Sequence, residues 1–109
     1  MTDTIKVLAQ SAPAAGILTV FYTVPSVTST TVSSIIICNV SGSNDEFSIS
    51  IAIAGATDTL KQYIYYNTPL DTNDTFIATI GITLASSDVI RVLSNGGYLS
   101  FNLCGVEIT

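Results

Sequence analysis

The sequence predicts an all-β fold: a single-domain, antiparallel β-sandwich, jelly-roll-like, of about eight strands across residues 1–109. Three observations predict it. Apolar residues recur with period two, most cleanly in "EFSISIAIAG", where Phe47, Ile49, Ile51 and Ile53 alternate with Ser48, Ser50, Ala52 and Ala54. Turn-forming clusters punctuate the chain at short, regular intervals: 11–16, 25–30, 41–45, 55–59 and 68–74. A chain of 109 residues suits one domain with a core of its own.

The elements follow in order. Residues 5–9, "IKVLA", are β-prone, and the first 13 residues are a candidate N-terminal arm ahead of the "SAPAAG" linker. Residues 17–24, "ILTVFYTV", stop at Pro25. Residues 31–40 include Ile35, Ile36, Ile37 and Cys38 in succession. Strands are expected over 46–55, over "QYIYY" at 62–66, and over "TFIATIGITL" at 75–84, with Phe76, Ala78, Ile80, Ile82 and Leu84 on one face. "DVIRVLS" and "YLSFNLCGVEI" flank Asn95-Gly96-Gly97, which reads as a tight hairpin because Asn and Gly tolerate positive φ. Leu99, Phe101 and Leu103 share one parity, and Val106 and Ile108 have the other. A bulge at Gly105 is the expected reason.

Several strands lack a polar side. A strand with one solvated face alternates, because successive side chains point to opposite faces. The 35–38 run does not, and 17–24 places Leu18, Val20 and Tyr22 opposite Ile17 and Phe21. Either loops or barrel closure cover the second face, or a neighbouring subunit does. The candidate interface residues are Ile35, Ile36, Ile37, Leu18, Val20 and Tyr22.

Composition narrows function further. Only 10% of residues are charged, against 48% hydrophobic, and Thr (15) and Ser (13) supply most of the polarity. The net charge of -5 argues against nucleic acid and anionic membranes, which select clustered Lys and Arg. The N-terminus carries Asp3 and no apolar h-region, so synthesis and folding in cytoplasm are expected. With no histidine, a Ser-His-Asp or Cys-His set is impossible and the commonest metal ligand is missing. No enzyme, cofactor or metal site is expected. Asp71, Asn73 and Asp74 have calcium-type oxygens but read as a turn. Cys38 and Cys104 sit among apolar residues and read as buried, reduced thiols; a bridge between them is disfavoured in cytoplasm. Tyr63, Tyr65 and Tyr66 are candidates for stacking on glycan rings, against the commoner core role of strand tyrosines.

"AAGILTVFYTVP" (14–25), "KQYIYYNTPL" (61–70), "DTFIATIGITLASSDVIRV" (74–92) and "LSFNLCGVEIT" (99–109) resemble small virion structural proteins of tailed bacteriophages, notably those infecting cyanobacteria. The resemblance implies a non-enzymatic virion component made in the host cytoplasm. A capsid decoration (cement) protein comes first, and a tail, neck or fibre component is the alternative. It also implies a homo-oligomer, with a trimer favoured, and the major capsid protein as a partner. "LASSDVIRV" (84–92) is similar to the L-x-x-G-D-x-I-x-V phrase of jelly-roll modules, with Ser87 in place of the glycine.

Overall fold

The computed structural model describes residues 2–109. It contains nine strands: β1 (Asp3–Ser11), β2 (Thr19–Thr23), β3 (Ser29–Asn39), β4 (Asp45–Ala52), β5 (Tyr63–Leu70), β6 (Thr75–Ala78), β7 (Ile82–Leu84), β8 (Val89–Ser94) and β9 (Leu99–Ile108). Two short 3-10 turns, Ile53–Gly55 and Leu60–Gln62, join β4 to β5. One antiparallel sheet has the order β1-β9-β3-β6, with β7 also on β3; the other has the order β2-β8-β4-β5. β6 and β7 are one interrupted strand, so the nine reduce to eight, interleaved between two sheets as in a jelly roll.

The core lies between the sheets. Ile35, Ile37, Leu99, Phe101 and Leu103 from the first sheet meet Phe47, Ile49 and Val92 from the second, all almost completely buried. Burying each such side chain stabilises the fold by roughly 1.5–3 kcal/mol. Phe21 meets Phe101 edge-on with ring centroids 6.1 Å apart at one side of the sandwich. Phe47, Tyr65 and Phe76 form a second aromatic group, with centroids 5.3–5.9 Å apart.

Apart from β5, which runs on to Leu70 through the start of the expected 68–74 turn, the structure differs from the sequence expectations in five places. The 75–84 strand breaks at residues 79–81, where Gly81 takes φ 57°, giving nine strands; Phe76, Ala78, Ile80, Ile82 and Leu84 still all face the core. The fourth strand ends at Ala52 and not at residue 55. There Asp88 Oδ1 accepts the Ala54 N–H and a turn takes over, leaving Ile53 exposed. Asn95-Gly96-Gly97 is not a hairpin. β8 and β9 lie in different sheets, so this turn is a corner between layers. The N–H groups of Gly96 and of Tyr98, which follows the turn, go to the Asp45 carboxylate, that of Gly97 to Ser94 Oγ, and that of Asn95 to the Glu46 carbonyl. The candidate N-terminal arm is the edge strand β1, registered on β9 from Asp3 to Ser11.

The fifth difference concerns Gly105. β9 runs unbulged to Ile108, and the bulges lie in its neighbours: the β1 register shifts between Val7 and Ala9, and the β3 register between Val32 and Ser34. Both converge on Gly105, which is buried. A Cβ there would overlap the Thr31 carbonyl oxygen and crowd Leu8 and Val32. Only glycine fits so close an approach of backbones.

The "LASSDVIRV" phrase also acquires a physical meaning. Asp88 accepts the N–H groups of Ala85 and Ala54 through its two oxygens, tying the β7–β8 turn to the end of β4. Ser87 adopts φ 71°, a conformation that favours glycine.

Two substitutions test these backbone constraints by chemical denaturation. Gly105→Ala is expected to destabilise the protein by roughly 3 kcal/mol or more, because a rigid carbonyl blocks the new methyl. Ser87→Gly is expected to stabilise it by about 0.5–1 kcal/mol, relief of left-handed strain outweighing the greater freedom of the unfolded glycine.

Candidate functional site

The feature that marks this molecule is the outer face of the β1-β9-β3-β6 sheet. Its cross-strand rows follow from the register: Ile5, Val106, Thr31 and Thr83; Val7, Cys104 and Ser34; Gln10, Asn102, Ile36 and Ile77; Ser100, Cys38 and Thr75. Side chains on the central strands β9 and β3 are half-buried by their neighbours, whereas Ile5 (84% exposed), Val7 and Ile77 at the edges are open. The strands contribute one charged side chain to this face, Asp3, opposite Ile108 at its corner.

The opposite outer face, on the β2-β8-β4-β5 sheet, is covered over β4 by the chain itself. Ser48, Ser50 and Ala52 point away from the core yet are fully buried. Ser50 lies between its cross-strand neighbours Arg91 and Tyr63. The Arg91 guanidinium reaches over to donate to the carbonyls of Gly55 and Ala56, 3.3 and 3.0 Å away. The Ser48 hydroxyl accepts the Asn67 N–H where β5 bulges. Small side chains on this face therefore make room for the 53–66 segment.

The six candidate interface residues fall in different places. Ile35 and Ile37 are inside the monomer's own core, and so is Tyr22, because a register shift in β2 turns both Phe21 and Tyr22 inward. Ile36 stands on the open outer face, opposite Asn102 and Ile77. Val20 is exposed on the other sheet, and Leu18 is half-buried in the loop before β2. The open face also includes Ile5, Val7, Ile77, Cys104, Val106 and Ile108. The parity of Val106 and Ile108 was the signal for them: Gly105 and Glu107 occupy the inward positions, so these two point outward. Cys38 and Cys104 stand on this face too, half-buried and unbridged, where deep burial was expected. Cys38 pairs with Ser100, four residues from Cys104. That offset of about 13 Å along the strands exceeds disulfide reach.

The three tyrosines separate as well. Tyr65 packs into the core aromatic group. Tyr63 and Tyr66 form an edge-on pair on the surface, centroids 5.0 Å apart, and the Tyr63 hydroxyl donates to Asp58 at 3.0 Å. Burial, then Asp58, raises the Tyr63 pKa.

The other polar groups are structural. The Asp45 carboxylate accepts from Ser94 Oγ (2.7 Å) and from the N–H groups of Gly96, Glu46 and Tyr98. Burial pushes this carboxyl up, but the four hydrogen bonds outweigh it and hold the pKa below the ordinary 3.8. At the far end, the Tyr22 hydroxyl donates to Glu107 Oε2 at 2.6 Å and contacts Thr30 Oγ1 at 2.8 Å. Lys6 Nζ meets the other Glu107 oxygen at 2.9 Å. The bond from Tyr22, then that from Lys6, lowers the Glu107 pKa; burial, then Glu107, raises that of Tyr22 to about 12. Asp71 and Asp74 shape the β5–β6 turn, where the Asp71 carbonyl accepts the Asp74 N–H. Among the described residues, no three His, Cys, Asp or Glu side chains gather as a metal site.

Comparison with known proteins finds no matching family model and no matching curated protein.

The shifted groups predict pH dependence at both extremes. Asp45 has a lowered folded-state pKa, so the unfolded chain binds protons more readily. Its contribution is present above the ordinary value of 3.8 and is lost as pH falls through the folded value. Asp45→Ala is expected to cost about 3 kcal/mol or more at neutral pH, since buried donors lose their acceptor, and to flatten the acid limb of stability against pH. Tyr22 runs the other way: its contribution is complete below pH 10.0 and is lost as pH rises through about 12. Spectrophotometric titration is expected to show a late-ionising tyrosine that disappears in Tyr22→Phe.

Proposed function

We propose that this chain is a non-enzymatic structural subunit of a virus particle, a capsid decoration protein that reinforces the shell by subunit and capsid contacts. It would be made in the host cytoplasm and incorporated into the virion, with the major capsid protein as partner and three copies as the favoured grouping. The observation that carries this reading is the nearly chargeless outer face of the β1-β9-β3-β6 sheet. Large exposed apolar faces mark association surfaces. The disposition of the acidic residues supports the same reading, because Asp45, Asp88 and Glu107 are each engaged in tying strands and turns together. The phage-like phrasing at 14–25, 61–70, 74–92 and 99–109 supplies the particle.

A tail, neck or fibre component with a glycan-binding role is the second reading. It is favoured by the surface pair Tyr63–Tyr66, with Tyr66 59% exposed and Asp58 close by as a hydrogen-bond acceptor. An aromatic ring beside a carboxylate is suited to a sugar's apolar face and hydroxyls.

Electron microscopy of particles from an infection supplying a tagged copy separates the two. Label at regular positions on the capsid surface is the expected outcome. Label confined to the tail, together with glycan binding that is lost in Tyr66→Ala, would replace the first reading with the second. Particles without the chain would reject both.

A further inference from the structure

We infer that the outer face of the β1-β9-β3-β6 sheet is covered by a second copy of this chain. The inference goes beyond the particle reading and holds whether or not the chain belongs to a virion.

Charge selects the occupant. The chain carries eight carboxylates against three basic groups, and two copies brought together through most of their surface repel. The strands of this face place only Asp3 on it, at a corner, so here two like-charged copies meet with little penalty. A basic partner would be drawn to the acidic loops instead, such as the one at Asp71 and Asp74.

Several polar groups on the face are already partnered within the sheet. Gln10 Nε2 donates to Asn102 Oδ1 at 2.7 Å, Ser33 Oγ donates to the Cys104 carbonyl at 3.1 Å, and the Thr31 and Thr83 hydroxyls lie 3.4 Å apart. Covering them costs less than burying groups that would lose water without replacement. Between them stand Ile5, Val7, Ile36, Ile77 and Val106, which gain by leaving water.

Size agrees. Four strands about 4.8 Å apart and about eight residues long give a flat footprint of roughly 500 Å². Projecting side chains raise its accessible area towards the roughly 800 Å² per partner of a stable interface. On the opposite outer face the β4 positions Ser48, Ser50 and Ala52 are already covered by the 53–66 segment and Arg91, and its exposed apolar groups, Val20 and Tyr66 among them, stand around that cover.

Cys38 and Cys104 are built-in reporters of this face. Sedimentation of the purified, reduced chain, alongside maleimide labelling over a dilution series, tests the inference. Wild type is expected to sediment at twice the monomer mass or more, with both thiols protected at high concentration and labelled on dilution. Ile36→Asp is expected to sediment as a monomer and to label at every concentration. Val7→Asp, at an exposed edge position, does the same without touching the core, and serves should Ile36→Asp not fold. Val20→Asp, on the other sheet, is expected to leave the oligomer intact. A monomeric wild type at high micromolar concentration overturns the inference. So does an oligomer that Val7→Asp leaves undiminished, or one that Val20→Asp dissolves equally. None of these results depends on particle binding.

Discussion

The fold depends on one carboxylate. Asp45 opens β4, and its two oxygens collect Ser94 at the end of β8 together with the backbone of Glu46, Gly96 and Tyr98. Those contacts fix the corner at which the chain leaves one sheet for the other. Gly97 (φ 76°) and its N–H to Ser94 Oγ complete the corner, and the Gly16 N–H bonds the Ser94 carbonyl from the first loop. A buried acid is costly alone; here four donors convert it into a joint that neutral side chains of similar size would not reproduce. β8 and β9, and with them the two layers, take their relative placement from it.

Much of the architecture was legible in the residues. Period-two alternation identified the strands, and turn composition identified the breaks, so the two-layer fold followed. What local pattern does not carry is which strand sits beside which. Asn95-Gly96-Gly97 has hairpin composition, and its role as an interlayer corner is decided by a carboxylate some fifty positions away in the chain. In the same way, the change of parity after Gly105 was visible, but its cause lies in the backbones of β1 and β3.

The open face was legible in part. The run Ile35 to Cys38 announced that both sides of a strand are apolar, and alternation then divides it: Ile35 and Ile37 inward, Ile36 and Cys38 outward. Tyr22 misled because a register shift puts adjacent residues on one side. Two unsolvated faces called for two different answers. Serines and alanine on β4 signal a face overlain by the chain's own turn. Isoleucine, valine and cysteine on β3 and β9 signal a face the chain leaves uncovered.

The place of β9 has a kinetic meaning. This strand lies between β1 and β3, yet it is made after both. Until it arrives, β1 has no partner on its sheet, and the two ends of the described chain must meet, as the paired Thr2 and Thr109 backbones do. Contacts so distant in sequence make folding slow for a domain of this size. During that interval β3, paired with β6 and β7 along one edge, presents its other edge bare and its apolar outer side open to any other nascent chain. A ribosome-bound fragment ending before β9 is thus an aggregation-prone species, and chaperones that shield such edges have their natural point of action there.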